Sequence, residues 1–282
     1  MTPFAIAGLQ LELGASGNLD TVIKKTRVTL LRYPWVQMVV LSELAICGGG
    51  TATAEPLPSD TENKLAALAR ELGIWLVTGS LYEKCDGKVY NTVSVLSPEG
   101  EVVTRYRKLY PFYPYEKGVE PGAGICVFDV PDVGRFGLSI CYDMWFPETS
   151  RALVCAGAEV ILHPTLTNSA DREVERAMVR ATAAQQQCYV IDVNGAGEQA
   201  YGRSLWAGPD GEVLHSAGES EEIIAMEIDL DRVRRGRERG VLSLGQPLKS
   251  YRDAGHVFAN EQSADRQAYL NSLGPLAVPG RD

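Results

Sequence analysis

Three reactive side chains of complementary type each follow an apolar stretch of the sequence. Glu43 ends VQMVVLSE, Lys108 ends EVVTRYRK and Cys141 ends RFGLSIC. In sheets built from short apolar strands, ligands bind beyond the carboxyl ends of the strands, so we expect these side chains to face one crevice. A thiol with an ordinary pKa of about 8.5 is mostly protonated at neutral pH, and a nearby carboxylate can accept its proton. The set therefore predicts a Cys141 nucleophile with Glu43 as its general base.

An oxyanion formed by such an attack needs a cation or N–H donors beside it. Lys108 supplies an ammonium group, and Tyr142 supplies the backbone N–H that follows the cysteine. The segment KLYPFYPYEKG carries Lys108 at one end and Glu116 near the other, with prolines and aromatic residues between them. We interpret it as the lip of a pocket, with Tyr115 as lining and Glu116 as a second carboxylate near the lysine. The alternative is a surface loop packed on the core.

Cys141 also has simpler interpretations. A free cysteine is most often a small buried hydrophobe. A cysteine–histidine pair would need His163, His215 or His256, of which only His163 is near Cys141 in sequence, at a strand where a structural role is expected. The three histidines lack metal-ligand spacing, and the chain has no phosphate-binding glycine motif, so we expect neither a metal nor a cofactor.

The charge balance excludes several classes of partner. The 282 residues include 36 acidic and 27 basic side chains, for a net charge of -9. Such a surface repels nucleic acid and anionic lipid, which also argues against stacking of nucleic-acid bases on the aromatic segment. The N-terminal stretch lacks the basic region of a secretory signal, and no apolar run reaches the length of a membrane span. We therefore expect a cytoplasmic chain with free thiols.

Strands and helices alternate along most of the chain. Apolar runs predict strands at residues 4–11, 36–41, 74–78, 90–96, 101–106, 136–140, 160–163, 189–193 and 223–228. Helical spacing predicts helices at 18–33, after a capping box at Ser59 and Glu62, from Pro147 to Gly157, and at 170–187. This pattern predicts an α/β fold in one domain, residues 1–240, with helices covering sheets that pack face to face.

In the helix at 170–187, the inward face is predicted to hold Val174, Ala177, Met178 and Ala181. Two regions after the last predicted strand are expected to be exposed or irregular. The arginines at 232–239 are interpreted as a solvated surface turn. Residues 241–282 are expected to form an irregular tail whose scattered apolar residues, among them Val257 and Phe258, pack on a partner subunit.

At its reactive residues the sequence resembles the nitrilase superfamily, the carbon–nitrogen hydrolases. The matching segments are LSELAICG, YRKLYPFYPYEKG and GLSICYDMWFPE, in the family's order, and GAEVILHPT with YVIDVNGAG is also similar. The resemblance implies a four-layer α-β-β-α sandwich of the nitrilase type. It also implies subunits that pair through helices with crossing C-terminal tails, hence a homodimer or higher homo-oligomer.

Carried over to this chain, the resemblance assigns a role to each reactive residue. Glu43 is the general base, Lys108 stabilises the oxyanion, Cys141 is the nucleophile, and Glu116 helps to position substrate and leaving group. The implied reaction is hydrolysis of a carboxamide through a thioester on Cys141, with release of ammonia or an amine.

Two departures from the family bear on the substrate. Met144 and Trp145 stand where relatives that bind a substrate carboxylate often have arginine, and the loop after His163-Pro164 lacks the tryptophan of many relatives. We hypothesise a neutral, fairly apolar carboxamide. The candidate substrate-binding residues are Tyr142, Tyr115, Trp145, Thr165 and Leu166. Arg172 and Arg176 remain an alternative anchor for a carboxylate.

Rival functions remain open. An N-carbamoyl or ureido hydrolase, an ω-amidase or a nitrilase of the same superfamily would use the same residues. A catalytically silent scaffold would not need Glu43, Lys108, Glu116 and Cys141 together.

Overall fold

The computed structural model describes residues 1–255 and 264–276 of the chain. The β-strands are β1 Pro3–Gln10, β2 Met38–Leu41, β3 Trp75–Val77, β4 Leu81–Cys85, β5 Lys88–Leu96, β6 Val102–Arg107, β7 Cys126–Val130, β8 Gly134–Leu138, β9 Val160–Thr165, β10 Tyr189–Asn194, β11 Leu205–Ala207, β12 Val213–Ser216 and β13 Glu222–Asp229. The α-helices are α1 Leu19–Arg32, α2 Asp60–Leu72, α3 Pro147–Cys155, α4 Asp171–Gln186, α5 Leu230–Arg239, α6 Pro247–Ala254 and α7 Ala264–Asn271. Short 3-10 helices lie at Thr51–Thr53, Cys141–Trp145 and Gly197–Gln199.

The strands form two sheets. The first has the order β13-β1-β2-β3-β5-β4, with β6 paired to β5, and the second has the order β12-β11-β10-β9-β8-β7. The central pairs β1–β2, β2–β3, β8–β9 and β9–β10 are parallel, and the outer pairs are antiparallel. Every predicted strand has a counterpart. The turn residues Pro209-Asp210-Gly211 predict a hairpin, which β11 and β12 form, whereas β4 and β7 were not predicted as strands.

The two sheets pack against each other through a shared apolar core. Alternate residues of the strands point into it, as Phe4 and Ile6 of β1 meet Phe136 of β8 and Ile191 of β10. Alanine and leucine at the intervening β1 positions pack instead under α1 and α2, and the outer face of the second sheet packs under α3 and α4. Successive side chains of a strand point to opposite faces of the sheet, so one face of each sheet is buried against the other sheet and the opposite face is buried under helices. The predicted α-β-β-α sandwich is therefore confirmed.

Local sequence signals explain where α2 begins and ends. The Ser59 hydroxyl accepts a hydrogen bond from the backbone N–H of Glu62 at 3.1 Å, and Gly73 ends the helix in the left-handed conformation. The Glu62 carboxylate does not close the predicted capping box. It binds Arg105 of β6 and the Ser94 hydroxyl of β5, and so ties α2 to the first sheet.

The predicted inward face of α4 was wrong for Val174, Ala177 and Ala181, which are exposed, whereas Met178 packs partly buried against the core. The buried positions are instead Arg172, Glu175 and Val179, with Thr182, Ala183 and Gln186 further along. The periodicity of the apolar residues misled the prediction because buried ion pairs, described below, hold the polar residues of this helix inside the protein.

The arginine segment was also misread. Residues 230–239 form α5, whose Leu230 and Val233 are buried, whereas a surface turn was expected. Asp229 caps the helix by accepting from the N–H of Asp231, and Arg237 donates to backbone carbonyls at Gln187 and Ala158. The arginines thus fasten α5 to the second sheet.

The C-terminal segment is not irregular throughout, since α6 and α7 lie within it. The predicted partner contacts of Val257 and Phe258, and His256, lie outside the described residues. Across the described ranges, no helix is both long enough and apolar enough to cross a membrane.

Candidate active site

The ends of β2 and β6 bring Glu43 and Lys108 together. Glu43 lies two residues beyond β2 and Lys108 follows β6 directly, and the two side chains are 3% and 1% exposed. The Lys108 ammonium donates to Glu43 Oε1 at 2.9 Å. A buried ammonium needs such a partner, because an unpaired charge in the interior is strongly disfavoured. The predicted meeting of these two strand ends is what the structure shows.

Glu116 joins the pair from the aromatic segment. Its Oε2 accepts from Lys108 Nζ at 2.7 Å and from the backbone N–H of Phe112 at 2.6 Å, while its Oε1 accepts from the Tyr82 hydroxyl. Lys108 therefore lies between two carboxylates. Burial works against its charge, but Glu43, Cys141 and Glu116 together hold the pKa of the ammonium well above its usual value.

Asn91 of β5 is a member of this cluster that the sequence reasoning missed. Its Nδ2 donates to Glu43 Oε1 at 2.8 Å and to Glu116 Oε1 at 3.0 Å. The side chain is fully buried, and its Oδ1 has no hydrogen-bond partner within the described residues. The one available signal was an asparagine inside the buried run VYNTVSV, since asparagine is depleted in strands.

Cys141 occupies a tight turn between β8 and α3. It begins the 3-10 helix Cys141–Trp145 with φ of +44°, a conformation that is rare for residues other than glycine. Asp143 holds the turn: its carboxylate accepts from the N–H of Ile140 at 2.9 Å, from the N–H of Tyr110 at 2.9 Å and from the Tyr106 hydroxyl at 2.7 Å. This turn places the thiol at the surface of a cavity.

The electrostatics describe a thiol that is protonated at rest. Burial raises the pKa of Cys141, the Glu43 carboxylate raises it further, and Lys108 offsets only part of the shift. Burial likewise raises the pKa of Glu43 despite Lys108. A carboxylate whose pKa is raised is a stronger base, so the site favours proton transfer to Glu43 during the attack over a thiolate formed beforehand.

Glu43 also lies within reach of the proton that it would receive. Asn91 and Lys108 both donate to Oε1 of its carboxylate, and a further side-chain hydrogen bond joins the carboxylate to the Cys141 thiol. Glu116 differs. Burial opposes its ionisation too, but Lys108, the Phe112 N–H and Asn91 outweigh burial and hold the pKa of Glu116 below its usual value. The two carboxylates are thus set for different roles.

A cavity of about 270 Å³ opens on Cys141. Phe112, Tyr142, Trp145 and Leu166 form its apolar lining, and the remaining lining residues are polar: Thr167, Asn168, Ser169, Asp171 and Glu175. Of the predicted lining, Tyr142, Trp145 and Leu166 are present. Tyr115 is not: it lies outside, 61% exposed, with its ring stacked on Phe112. Because half of the lining is polar, the pocket is less apolar than predicted.

A chain of hydrogen bonds runs from the thiol into α4. Thr165 was predicted to bind substrate, but it is fully buried and is not among the residues that line the cavity. Its hydroxyl opposes the larger effect of burial on the pKa of the Cys141 thiol and lies 3.2 Å from Thr167, oxygen to oxygen. Thr167 Oγ1 is 4.0 Å from Cys141 Sγ and donates to Glu175 Oε1 at 3.0 Å. Arg172 donates to Glu175 Oε2 at 3.1 Å. Thr167 and Glu175 were not predicted, because neither follows a strand end in an obvious motif.

The two arginines kept as possible anchors for a carboxylate do not reach the cavity as free cations. Arg172 is 1% exposed and is bound to Asp192 and Glu175 and to two backbone carbonyls. Arg176 lies at the surface and donates to Glu173 and to the Ser216 hydroxyl. The anionic-substrate alternative thus loses the residues that supported it.

His163 has a structural setting. It is buried, its Nδ1 is 3.1 Å from the Ser139 hydroxyl, and burial lowers its pKa to about 4. His215 pairs with Glu222 at the edge of the second sheet, and His256 lies outside the described residues. Within residues 1–255 and 264–276, no group of three histidine, cysteine or carboxylate side chains is arranged to hold a metal ion.

Comparison with known proteins identifies the family of the chain. Residues 5–238 match the family described as carbon-nitrogen hydrolase. The chain is 31% identical over 261 residues to the omega-amidase NIT2 of Pongo abelii, covering 85% of this chain and 93% of that protein. It is 36% identical over 215 residues to a nitrilase of Pyrococcus abyssi, covering 71% of this chain and 80% of that protein.

The fold is shared with a solved structure as well. The crystal structure of Nit3 of Saccharomyces cerevisiae, a member of branch 10 of the nitrilase superfamily, superimposes with a TM-score of 0.77 at 27% identity. The match covers 84% of this chain and 94% of that one. The predicted family and its sandwich are therefore confirmed.

Proposed function

The chain belongs to the carbon–nitrogen hydrolase family, within the nitrilase superfamily, and from this premise we propose that it hydrolyses a short carboxamide through a thioester on Cys141. It is a hydrolase of carbon–nitrogen bonds other than peptide bonds. The proposal adds the residues that act and the kind of amide. The observation that carries it is the buried contact of Lys108 with both Glu43 and Glu116, beside a cysteine that opens on a cavity.

Acylation begins with the thiol proton. It passes to Glu43 while Cys141 Sγ attacks the carbonyl carbon, and the oxyanion forms near the Lys108 ammonium and the backbone N–H of Tyr142. The tetrahedral intermediate then collapses. The carbon–nitrogen bond breaks, the leaving nitrogen takes the proton from Glu43, and ammonia or an amine departs, leaving a thioester.

Deacylation uses the same base. Glu43 takes a proton from water, the hydroxide adds to the thioester carbon, and the second tetrahedral intermediate expels the sulfur. The proton returns to Cys141, and a carboxylic acid leaves. Glu116 stays ionised throughout in this scheme. It keeps Lys108 charged and aligned, since its own pKa is held low by the same contacts.

Intact-mass spectrometry tests the nucleophile directly. The enzyme is mixed with a library of short amides, quenched in acid and weighed, and we expect an acyl adduct on the wild type and none on Cys141→Ala. Cys155→Ala is the matched control, because Cys155 is an exposed free thiol outside the cavity. An adduct that persists in Cys141→Ala would refute the assignment, and so would hydrolysis of the amides by Cys141→Ala at the wild-type rate.

We propose a substrate without an anionic group. The cavity has no lysine or arginine among its described lining residues, and it has Asp171 and Glu175. An ω-amidase is the second candidate, because relatives with that activity share 30–31% identity with this chain. The two are separated by comparing an uncharged amide with the monoamide of a dicarboxylic acid, and we expect faster hydrolysis of the uncharged amide.

The other relatives in the superfamily predict different products. A nitrile converted to an acid would indicate a nitrilase, and a ureido compound that yields carbon dioxide would indicate a carbamoyl hydrolase. A silent scaffold would hydrolyse none of these compounds. Product analysis therefore covers these alternatives.

We further infer that two copies of the chain associate through α4 and the C-terminal segment. Val174 on α4 and Tyr251 on α6 are exposed apolar side chains on neighbouring elements. Leu273 and Leu276, which follow α7, are exposed as well. Sedimentation of the full chain and of a 1–240 truncation tests this: we expect a dimer or larger for the full chain and a weaker assembly for the truncation.

A further inference from the structure

Three residues of the cavity lining present hydrogen-bond acceptors, and two of them are acidic. We call Thr167, Asp171 and Glu175 the acceptor wall; Asn168 and Ser169, which also line the cavity, can donate as well as accept. Resting on the proposed function, we propose that the acceptor wall selects carboxamides whose acyl chain carries a protonated amine and rejects those that carry a carboxylate. The substrate class is thus an amino-substituted carboxamide.

The polarity of Thr167 follows from counting its protons. A hydroxyl has one proton and two lone pairs. Thr167 donates to Glu175 Oε1 at 3.0 Å. Burial raises the pKa of Glu175, but Arg172, bound to the other carboxylate oxygen, opposes that shift and favours the ionised form that accepts the proton. With its proton on Glu175 and the Thr165 hydroxyl 3.2 Å away, Thr167 presents one lone pair toward Cys141, which is 4.0 Å away. An N–H of a substrate can bind there, whereas a carboxylate oxygen would meet another acceptor.

The charges of the wall point the same way. The only cation next to Glu175 in the described structure is Arg172, and its five N–H groups are all used. They bind Glu175 once, Asp192 twice, and the carbonyls of Gly202 and Arg203. One positive charge thus faces the negative charges of Glu175, Asp192 and Asp171. An ammonium entering the cavity would reduce this excess, and a carboxylate would increase it.

Glu175 retains capacity for such a ligand. Each of its oxygens accepts one hydrogen bond from the protein, Oε1 from Thr167 and Oε2 from Arg172, and a carboxylate oxygen can accept two. Asp171 lies one helical turn before Glu175 on α4 and also faces the cavity. The Lys108 ammonium does not compete, because Glu43 and Glu116 bind it outside this lining.

Three amides that differ only at the chain end test the proposal. γ-Aminobutyramide, pentanamide and glutaramate share three methylenes and end in an ammonium, a methyl and a carboxylate. A charge-assisted hydrogen bond in a buried site is worth roughly a factor of ten or more. We expect kcat/KM for γ-aminobutyramide to exceed that for pentanamide by about tenfold or more, and glutaramate to be the poorest substrate.

Substitutions in the acceptor wall test whether it causes the preference for γ-aminobutyramide over pentanamide. Glu175→Gln keeps the shape and removes the charge, and Thr167→Val removes the hydroxyl, so each should bring the ratio of γ-aminobutyramide to pentanamide toward one. Arg176→Gln is the matched control, since it lies on the same helix but at the surface, and its ratio should stay that of the wild type. Should a wall variant fail to fold, the wild-type order of the three amides still decides.

Binding is measured separately from turnover. Each amide is used to protect Cys141 from iodoacetamide, and we expect the same order of protection as of kcat/KM. Hydrolysis of all three amides with glutaramate favoured, or with no preference for the amine, would overturn the acceptor wall and leave the proposed function standing. The absence of any acyl adduct or hydrolysis would refute the proposed function, and the protection order would then still test the wall.

Discussion

Asn91 joins the two carboxylates, so its replacement should shift the pH dependence of catalysis. Asn91→Leu removes the N–H bonds to Glu43 at 2.8 Å and to Glu116 at 3.0 Å. Both bonds favour the ionised carboxylates, so their loss raises the pKa of each. Glu43 must be ionised to accept the thiol proton. The acidic limb of the kcat/KM profile should therefore move to higher pH.

The size of the shift follows from the strength of the bonds. A hydrogen bond to a charged group is worth about 1.5–3 kcal/mol, and one pKa unit corresponds to about 1.36 kcal/mol. We expect the acidic limb to rise by about one to two pH units. For stability, two such bonds are lost, about 3–6 kcal/mol, and removal of the unpartnered Oδ1 returns about 1–3 kcal/mol. The free energy of unfolding should fall by about 2.5 kcal/mol, the middle of the resulting range of about 0–5 kcal/mol.

The assay is a pH profile of kcat/KM for pentanamide, with urea unfolding of the same variants. Thr92→Val is the matched control, because Thr92 is the next residue of β5, is equally buried, and donates to Glu83, a carboxylate outside the site. It should lose stability without moving the acidic limb. If Asn91→Leu folds and its limb coincides with that of Thr92→Val, Asn91 only supports the fold and the reasoning about Glu43 is wrong.

Three further predictions concern buried charges. Lys108→Met leaves Glu43 and Glu116 without their cation. We expect the free energy of unfolding, measured in urea, to fall by about 3–5 kcal/mol, and kcat to fall by about a hundredfold or more. Unchanged kcat would exclude Lys108 from the chemistry. Arg172→Met leaves Asp192 and Glu175 unpaired and should cost about 3–5 kcal/mol, while Arg176→Met at the surface should cost under about 1 kcal/mol; equal losses would contradict the buried network. Burial raises the pKa of Asp143 to about 6, so between about pH 4 and pH 6 the folded chain holds a proton that the unfolded chain has lost. The free energy of unfolding should therefore fall as the pH rises through this range. The unfolding of Asp143→Asn should lack this pH dependence.

The acceptor wall concerns the charge of the substrate, which the family match does not determine. A family match indicates which residues react, because the attack on a carbonyl carbon has the same requirements for every acyl group. It does not indicate which residues contact the acyl chain. In this protein those residues include Thr167 and Glu175, and their partner Arg172 is bound within the fold. The substrate therefore has to be read from the cavity of this chain.

Much of the protein was determined by the sequence alone. Short apolar runs placed β1 and β8, the Ser59 cap placed α2, and reactive residues after three apolar strands named Glu43, Lys108 and Cys141. These features are local, or follow from the rule that ligands bind beyond the carboxyl ends of strands, so no knowledge of distant contacts was needed. That β8 lies in a different sheet from β2 and β6 was decided by the fold.

Only the tertiary structure decided which polar residues are buried together. Asn91 and Glu43 are 48 positions apart, and Arg172 and Asp192 are 20 apart, so their contacts depend on how strands and helices are packed. The same contacts orient α4 with Arg172 and Glu175 facing inward and Val174 facing outward, although the spacing of the apolar residues predicts that Val174 faces inward. A charged side chain can be buried when an oppositely charged partner offsets its lost hydration. A partner that is distant in the chain cannot be recognised from the sequence, because only the fold brings the two side chains together.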